Sequence, residues 1–276
     1  MTSCTGAIAS CTVQDSQKGF PIMGMSLSLI ARKGGVGKTS AALNLAGAAL
    51  DDGLRQVLLI DMDSQASLSK AVLGPAAVDA LRPDQTVQAV AERTRAAGDV
   101  VRETAIPGLL IVPSYHDLRV PADGALNLAG VNPDLVLIDT PPDTRDAAVR
   151  CALLASNVVV SPVVPEGWGL QSVHGVQQLL MSAGLVSNQS LLFAGWLVSM
   201  VQRIAMHTVC EDTLRRLHGA TVYGVTVPAA AAFKEAAAAG VPITRHAPKS
   251  AAAKAVRAVW NETLDRVEAA AKRGAA

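Results

Sequence analysis

The sequence is poor in aromatic residues, which make up 3% of its 276 positions although half of all residues are apolar. A buried core of this size must therefore be filled by Val, Leu, Ile and Ala. These aliphatic residues are the usual filling of a parallel sheet covered by helices. The composition thus favours an α/β fold over an all-β sandwich.

Cysteine and histidine are too scattered to predict a metal site or a disulfide framework. The four cysteines are Cys4, Cys11, Cys151 and Cys210, and the five histidines show no paired spacing. We expect the cysteines to be reduced thiols.

Signals for membrane insertion or secretion are also lacking. No apolar run approaches the roughly 18 residues that a transmembrane helix needs. A signal peptide begins with a positively charged region, but no basic residue precedes Lys18 in this chain. We therefore expect a cytoplasmic protein.

Positive charge is concentrated toward the C-terminus, although the formal net charge is only +1. From Val201 onward, eleven Lys and Arg stand against six Asp and Glu. A basic face attracts nucleic acid or anionic lipid, but an excess of this size is more often a solvated surface.

Short aliphatic and β-branched runs alternate with segments long enough for helices. The predicted strands are residues 26–30, 56–60, 109–112, 135–138, 157–160, 191–198 and 221–227. This alternation predicts βαβ crossovers and a doubly wound, mostly parallel sheet with helices on both faces.

Two helices have clear patterns. One is predicted over residues 40–50, and the other over residues 250–272, where Val256, Trp260, Leu264 and Val267 recur at spacings of three and four. The three tryptophans, Trp168, Trp196 and Trp260, are predicted to pack in or near the core.

The first 24 residues differ in composition from the rest of the chain. Residues 1–24 are rich in Ser, Thr, Cys and Gly without a sustained period, which predicts a flexible extension. Translation starting at Met23 or Met25 is an alternative to a start at Met1. Residues 25–276 are predicted to form one domain.

The strongest chemical signal is a glycine-rich turn between the first predicted strand and helix. Its residues are Lys33, Gly34, Gly35, Val36, Gly37, Lys38, Thr39 and Ser40. Glycines let the backbone curl around an anion, and the helix N-terminus adds a favourable dipole. In such a phosphate loop Lys38 reaches the β- and γ-phosphates, while Thr39 offers its hydroxyl to magnesium. The loop therefore predicts a phosphate-bearing nucleotide and Mg²⁺ as cofactors.

Acidic residues end two of the predicted strands. Asp61 and Asp63 follow residues 56–60 and point to the same side of an extended chain, where carboxylates suit magnesium and water. Asp139 directly follows the predicted strand over residues 135–138. This is expected of a buried strand that delivers a carboxylate to the magnesium of a nucleotide.

The phosphate loop departs from the standard pattern, because Arg32 stands where glycine is usual and Lys33 precedes the double glycine. This departure resembles the deviant loop of the ParA/MinD family, and the chain is most similar to the small ParA/Soj-type partition ATPases. The resemblance implies a single-domain, three-layer P-loop NTPase fold. It also implies that Lys33 crosses a homodimer interface and touches phosphate in the partner subunit.

The acidic segments resemble the same family. The family's Asp-x-Asp-Pro-Gln segment corresponds to residues 61–65, with Ser64 in place of proline. The resemblance implies that Asp63 orients the attacking water, so that Lys33, Lys38 and Asp63 are the catalytic residues. It further implies that Asp61 supports magnesium through its solvent shell and that Asp139 is the Walker B carboxylate, giving Thr39, Asp61 and Asp139 as metal residues.

A Val-Pro pair at residues 227–228 resembles the family segment that lies against adenine, which implies a nucleotide contact for Pro228. Family members often have arginine just after this pair, whereas residues 229–232 are all alanine here. A contact by that arginine is therefore not carried over.

The resemblance implies an ATP-dependent dimerisation switch with weak ATPase activity. The ATP-bound homodimer would bind DNA non-specifically on the nucleoid, and a ParB-like or cargo-adaptor protein would stimulate hydrolysis. The cargo would be a plasmid, a chromosome region or a large protein assembly. The candidate DNA contacts are Arg203, Arg245, Lys249, Lys254 and Arg257.

Two alternatives remain open within the same fold. A MinD-like membrane switch needs a basic C-terminal helix with bulky apolar residues, but Glu268 and three alanines follow Val267. A metabolic ATP-dependent synthetase would couple ATP turnover to a small acid.

Overall fold

The computed structural model describes residues 24–143, 145–167, 169–181 and 191–274. The predicted extension over residues 1–24 therefore lies, up to residue 23, outside the described residues. Trp168, Cys4 and Cys11 lie outside them as well.

A seven-stranded sheet forms the centre of the molecule. Its strands are β1 (Met25–Leu29), β2 (Val57–Asp61), β3 (Arg102–Glu103), β4 (Leu109–Val112), β5 (Leu135–Asp139), β6 (Val158–Val163) and β7 (Leu192–Val198). The spatial order is β3-β4-β2-β5-β1-β6-β7, and every neighbouring pair is parallel except β3 with β4. Six of the seven predicted strands and the doubly wound sheet are confirmed.

Helices connect the parallel strands. They are α1 (Lys38–Asp51), α2 (Ser67–Leu73), α3 (Pro75–Asp79), α4 (Val87–Ala91), α5 (Ala97–Val100), α6 (Ala147–Leu154), α7 (Gly169–Leu179), α8 (Ala205–His218), α9 (Ala231–Ala238), α10 (Ile243–His246) and α11 (Ala251–Gly274). Both predicted helices are confirmed, as α1 and α11. None of the helices within the described residues is long and apolar enough to cross a membrane.

The strands bury both of their faces, which gives three layers. Leu59 and Leu137 point toward the layer formed by α1 and α11, in a cluster that includes the buried Trp260. Leu58 and Ile138 point the opposite way, toward α4, α5 and α6. Because successive side chains of a strand alternate between faces, such continuous apolar strands require helices on both sides.

The predicted strand over residues 221–227 is wrong. No strand is formed there among the described residues, where isolated bridges join Trp196 with Val222 and Val201 with Pro228. Separate backbone hydrogen bonds of 2.9 Å run from the N–H groups of Tyr223 and Val227 to the carbonyls of Trp196 and Val198 on β7. Between them, the carboxylate of Glu262 on α11 accepts hydrogen bonds from the backbone N–H groups of Gly224, at 2.8 Å, and Val225, at 3.1 Å. These amides are therefore bonded to a side chain rather than to strand β7.

The amphipathic face of α11 packs as predicted. Val256 and Trp260 are buried, while Leu264 and Val267 are partly buried against the same core. The indole N–H of Trp260 donates to Asp52 Oδ2 at 3.0 Å, which fixes α11 across the end of α1. Trp196, on β7, is also buried.

Candidate functional site

The phosphate loop joins β1 to α1 at the carboxyl edge of the sheet. Gly35 (φ 73°) and Gly37 (φ 92°) have left-handed backbone conformations that favour glycine. Between them, Val36 is buried with Ala31 and Val164, and its carbonyl accepts a hydrogen bond of 2.9 Å from Ser199 Oγ. The loop is thus anchored at its centre.

Lys38 begins α1 and is buried, with Nζ 3.4 Å from the carbonyl oxygen of Lys33. Burial lowers the pKa of Lys38, while the nearby carboxylates of Asp139 and Asp63 oppose that shift. Its ammonium group therefore lies inside the loop, beside two of the predicted acidic residues.

Thr39 and Asp139 are in direct contact. Thr39 Oγ1 donates to Asp139 Oδ2 at 2.6 Å, and the carboxyl group is fully buried at the end of β5. Its other oxygen, Oδ1, has no hydrogen-bond partner among the described residues. Burial, assisted by the neighbouring Asp61, raises the pKa of Asp139 to about 8. An unpaired buried carboxylate oxygen is costly unless a cation or proton occupies it.

Asp61 lies beside Asp139 because the two residues are in register on β2 and β5. Its Oδ2 accepts from the N–H and the hydroxyl of Ser69, at 2.8 and 2.7 Å, and its Oδ1 accepts from the N–H of Asp63 at 3.1 Å. Burial raises the pKa of Asp61 to about 6 despite these hydrogen bonds. Asp61 therefore ties the end of β2 to α2.

Asp63 begins the turn that connects β2 to α2. Its Oδ1 accepts from the N–H of Gln65 at 2.9 Å, and its carbonyl accepts from the N–H of Ala66 at 2.8 Å. Asp63 lies close enough to Lys38 to influence the pKa of that lysine. The structure thus brings the three predicted acidic residues together around Lys38 and Thr39.

Lys33 projects from the outer side of the loop. Its Nζ forms an ion pair with Glu166 Oε2 at 3.0 Å, in which the side chains are 44% and 47% exposed. Sequence reasoning did not predict this partner, since Glu166 lies 133 residues away along the chain.

Cavities flank the phosphate loop. One of about 700 Å³ is lined by Ser40 at the loop end and by Met200, Pro228 and Phe233 at the far wall. A second of about 910 Å³ is lined by Lys33 and by cationic and acidic residues after β5. The first cavity therefore has Pro228 and the end of the phosphate loop in one lining.

The candidate DNA contacts divide into two places. Arg203 is exposed just before α8, whereas Arg245, Lys249 and Lys254 are exposed on α10, the following loop and the start of α11. Arg257 is engaged within the fold, because its guanidinium donates to Asp51 Oδ2 at 2.9 Å and to two backbone carbonyls.

Known proteins share this sequence and architecture. The model of the CobQ/CobB/MinD/ParA nucleotide binding domain matches residues 27–243. The chain is 30% identical over 256 residues to the chromosome-partitioning ATPase Soj of Thermus thermophilus, a match that covers 88% of this chain and 97% of the relative.

Solved structures show the same fold at low identity. A variant of McdA from Cyanothece in complex with ATP has a TM-score of 0.71 and 16% identity, covering 88% of this chain and 96% of that one. MinD from Pyrococcus horikoshii, complexed with Mg-ADP, has a TM-score of 0.65 and 22% identity, covering 86% and 95%. The family match, the Soj relative and the phosphate loop agree, and the chain belongs to the CobQ/CobB/MinD/ParA nucleotide-binding family, with the ParA/MinD type of P-loop.

Proposed function

We propose that this protein is an ATP-dependent dimerisation switch that binds DNA non-specifically and positions a plasmid, a chromosome region or a large protein cargo. The observation that carries the proposal is the placement of the two loop lysines. The side chain of Lys38 is buried inside the loop, whereas the side chain of Lys33 projects from the outer side of the loop and is about half exposed. We infer that Lys33 reaches phosphate held by a second subunit.

The site suits a magnesium nucleotide. No group of three or more His, Cys, Asp or Glu side chains in the described part of the chain is placed to hold a metal alone. Thr39 Oγ1 and the unpaired Asp139 Oδ1 instead offer oxygen ligands of the kind that Mg²⁺ takes together with water and phosphate. Asp61 would act through solvent, since its own oxygens already accept three hydrogen bonds. Bound magnesium would neutralise charge on the phosphates.

Hydrolysis in such a site is mostly positioning and charge neutralisation. Lys33 and Lys38 would stabilise negative charge on the phosphates, and Asp63 would orient the attacking water. The backbone of residues 33–40 would hold the phosphates, while Pro228 would lie against the base in the cavity of about 700 Å³. The expected rate is slow and would rise with a ParB-like or cargo-adaptor partner.

The similarity to the chromosome-partitioning ATPase Soj supports DNA as the molecule that the dimer binds. The ATP-bound homodimer would bind DNA on the nucleoid through exposed cations of α10, α11 and the loop between them. Arg245, Lys249 and Lys254 are the candidates there, with Arg203 near α8 as a separate one. Arg257 is the weakest candidate because its guanidinium already has three acceptors within the fold.

Binding to random-sequence duplex DNA tests the proposal, measured with ATP, with ADP and without nucleotide across a salt series. We expect salt-sensitive binding only with ATP, and its loss in Lys33→Ala. The charge-matched control is Arg55→Ala, because Arg55 is 84% exposed and precedes β2 at the opposite edge of the sheet. Binding that ignores nucleotide, or persists in Lys33→Ala, would contradict the switch.

The same assay locates the DNA contacts. Each phosphate contact contributes a slope of about −0.9 to the plot of log affinity against log salt. Lys249→Ala and Lys254→Ala should each remove about one phosphate contact and so make the slope less steep by about 0.9. An unchanged slope in both variants would place the DNA face elsewhere on the dimer.

A further inference from the structure

The main chain of Asp63 is held from both sides by side chains. Its N–H donates to Asp61 Oδ1 at 3.1 Å. Its carbonyl oxygen accepts from the hydroxyl of Ser114 at 2.8 Å. Ser114 lies two residues beyond the end of β4, and it is fully buried.

The same serine is tied to Asp61 by a second route. The N–H of Ser114 donates to Ser69 Oγ at 2.9 Å, and that hydroxyl donates to Asp61 Oδ2 at 2.7 Å. Asp61, Asp63, Ser69 and Ser114 therefore form a closed hydrogen-bonded network, called here the Asp61–Ser114 network. It joins the ends of β2 and β4 to α2.

The turn after Asp63 needs such support. Its second position is Ser64, so no proline restricts the backbone there. Its last residue, Ala66, has a left-handed conformation (φ 51°) that is unfavourable for alanine. A strained turn persists only when surrounding contacts determine its conformation. The hydroxyl of Ser114 is the side-chain group that supplies such a contact to the carbonyl of Asp63.

We propose that Ser114 is a positioning residue for hydrolysis, which holds the main chain of Asp63 so that the carboxylate meets the attacking water in a fixed place. The inference rests on the role proposed above for Asp63. Ser114 contacts neither nucleotide phosphate nor magnesium in this proposal. Its loss should therefore lower the rate of hydrolysis without changing the affinity for ATP.

The experiment measures steady-state ATP hydrolysis and the affinity for a fluorescent ATP analogue in Ser114→Ala, Asp63→Ala and the double variant. We expect Ser114→Ala to lower kcat about tenfold, the effect of one lost hydrogen bond on positioning, with affinity changed less than about twofold. Ser114→Thr, which keeps the hydroxyl, should recover most of the rate. The control is Thr263→Val, because Thr263 has a buried hydroxyl that donates to a backbone carbonyl at 2.8 Å on α11.

The double variant separates positioning from a general loss of stability. If Ser114 acts through Asp63, Ser114→Ala should have no further effect on kcat in the Asp63→Ala background. Full additivity, or a kcat for Ser114→Ala equal to that of Thr263→Val, would overturn the inference while leaving the proposed function intact. A normal rate in Asp63→Ala would instead show that the proposed role of Asp63 is wrong, and the inference would fall with it.

Discussion

The hydroxyl of Thr39 donates a hydrogen bond of 2.6 Å to Asp139, which joins the first turn of α1 to the end of β5. The two residues are 100 positions apart in the chain. Their contact places a hydroxyl and a buried carboxylate at the end of the phosphate loop, where a magnesium nucleotide would require oxygen ligands.

Replacing Thr39 should weaken the binding of ATP in the presence of Mg²⁺ more than the binding of ATP without Mg²⁺. Thr39→Val removes the hydroxyl and keeps the side-chain shape. We expect affinity for ATP in the presence of Mg²⁺ to fall about tenfold or more, and affinity in EDTA to change little. Titration with a fluorescent ATP analogue under both conditions checks this. An equal loss under both conditions would mean that Thr39 contacts the nucleotide without magnesium.

Asp139 should make the nucleotide-free protein less stable as pH rises. Burial raises the pKa of this carboxyl from 3.8 to about 8 in the folded state. The folded protein then binds more protons than the unfolded chain, so the stability from this group is complete below about pH 4 and is lost as pH rises through about 8.

Asp139→Asn cannot ionise, and it should remove this part of the pH dependence. We expect the variant to exceed the wild type in free energy of unfolding by more than about 1 kcal/mol at pH 8, and the difference to shrink toward pH 5. Urea unfolding in EDTA without nucleotide measures it. A variant that is less stable than the wild type at pH 8 would show that Thr39 and Lys38 stabilise the ionised carboxylate enough to offset its burial.

Local patterns made the core of the site predictable. The glycine-rich loop and Asp139 at the end of an apolar strand are recognisable because each signal lies within a few consecutive residues. The same holds for α11, whose apolar spacing predicted the buried Val256 and Trp260. Register between parallel strands then brings Asp61 beside Asp139.

Partners that are distant in the chain were not predictable in this way. Ser114 donates to the carbonyl of Asp63 although the two residues are 51 positions apart, and no short sequence pattern indicates that contact. The error over residues 221–227 has a similar origin. Its β-branched residues are typical of a strand, but the N–H groups of Gly224 and Val225 in its middle donate to Glu262 on α11, a partner 37 or 38 positions away.

Arg266 should be critical for stability. Its guanidinium donates to the carbonyls of Ala194, Ala220 and Val222 and to Glu262, and it lies 4.4 Å from the ring centre of Tyr223. It thus fixes α11 to β7 and to the irregular segment beside it.

We expect Arg266→Ala to lower the free energy of unfolding by about 2 to 4 kcal/mol, because the buried carbonyls of Ala194 and Val222 lose this donor and Glu262 loses its cationic partner. Arg266→Lys should recover little, since an ammonium group cannot reproduce the planar set of donors. Chemical denaturation measures the free energy of unfolding of both variants. Arg273→Ala, at an exposed position near the end of α11, serves as the control and should change stability by less than about 0.5 kcal/mol.

Gly47 is required by packing although it lies inside a helix. A Cβ atom there would lie 2.4 Å from Pro242 Cβ and 2.8 Å from Thr244 Oγ1. Glycine lets α1 and α10 approach closely, and the nearby contact of 2.6 Å between Asn44 Oδ1 and the N–H of Ile243 depends on that approach.

Gly47→Ala should therefore destabilise the protein by about 1 to 3 kcal/mol, although helix propensity alone predicts a gain of about 1 kcal/mol. Thermal unfolding of Gly47→Ala shows whether the substitution lowers or raises stability. Gly98→Ala would not be a suitable control, because a Cβ at Gly98 would also meet backbone at 2.7 Å. Ser67→Ala, at the exposed start of α2, is a better reference.

The ion pair between Lys33 and Glu166 should restrain dimerisation only weakly. Both side chains are about half exposed, and such pairs contribute about 0 to 1 kcal/mol. Under the proposed function Lys33 leaves this partner to reach phosphate in the second subunit. Glu166→Gln should then lower the ATP concentration for half-maximal dimerisation by up to about fivefold, as measured by sedimentation. The same substitution in a Lys33→Ala background should have no effect. Weaker dimerisation in Glu166→Gln would mean instead that the carboxylate itself contacts the second subunit.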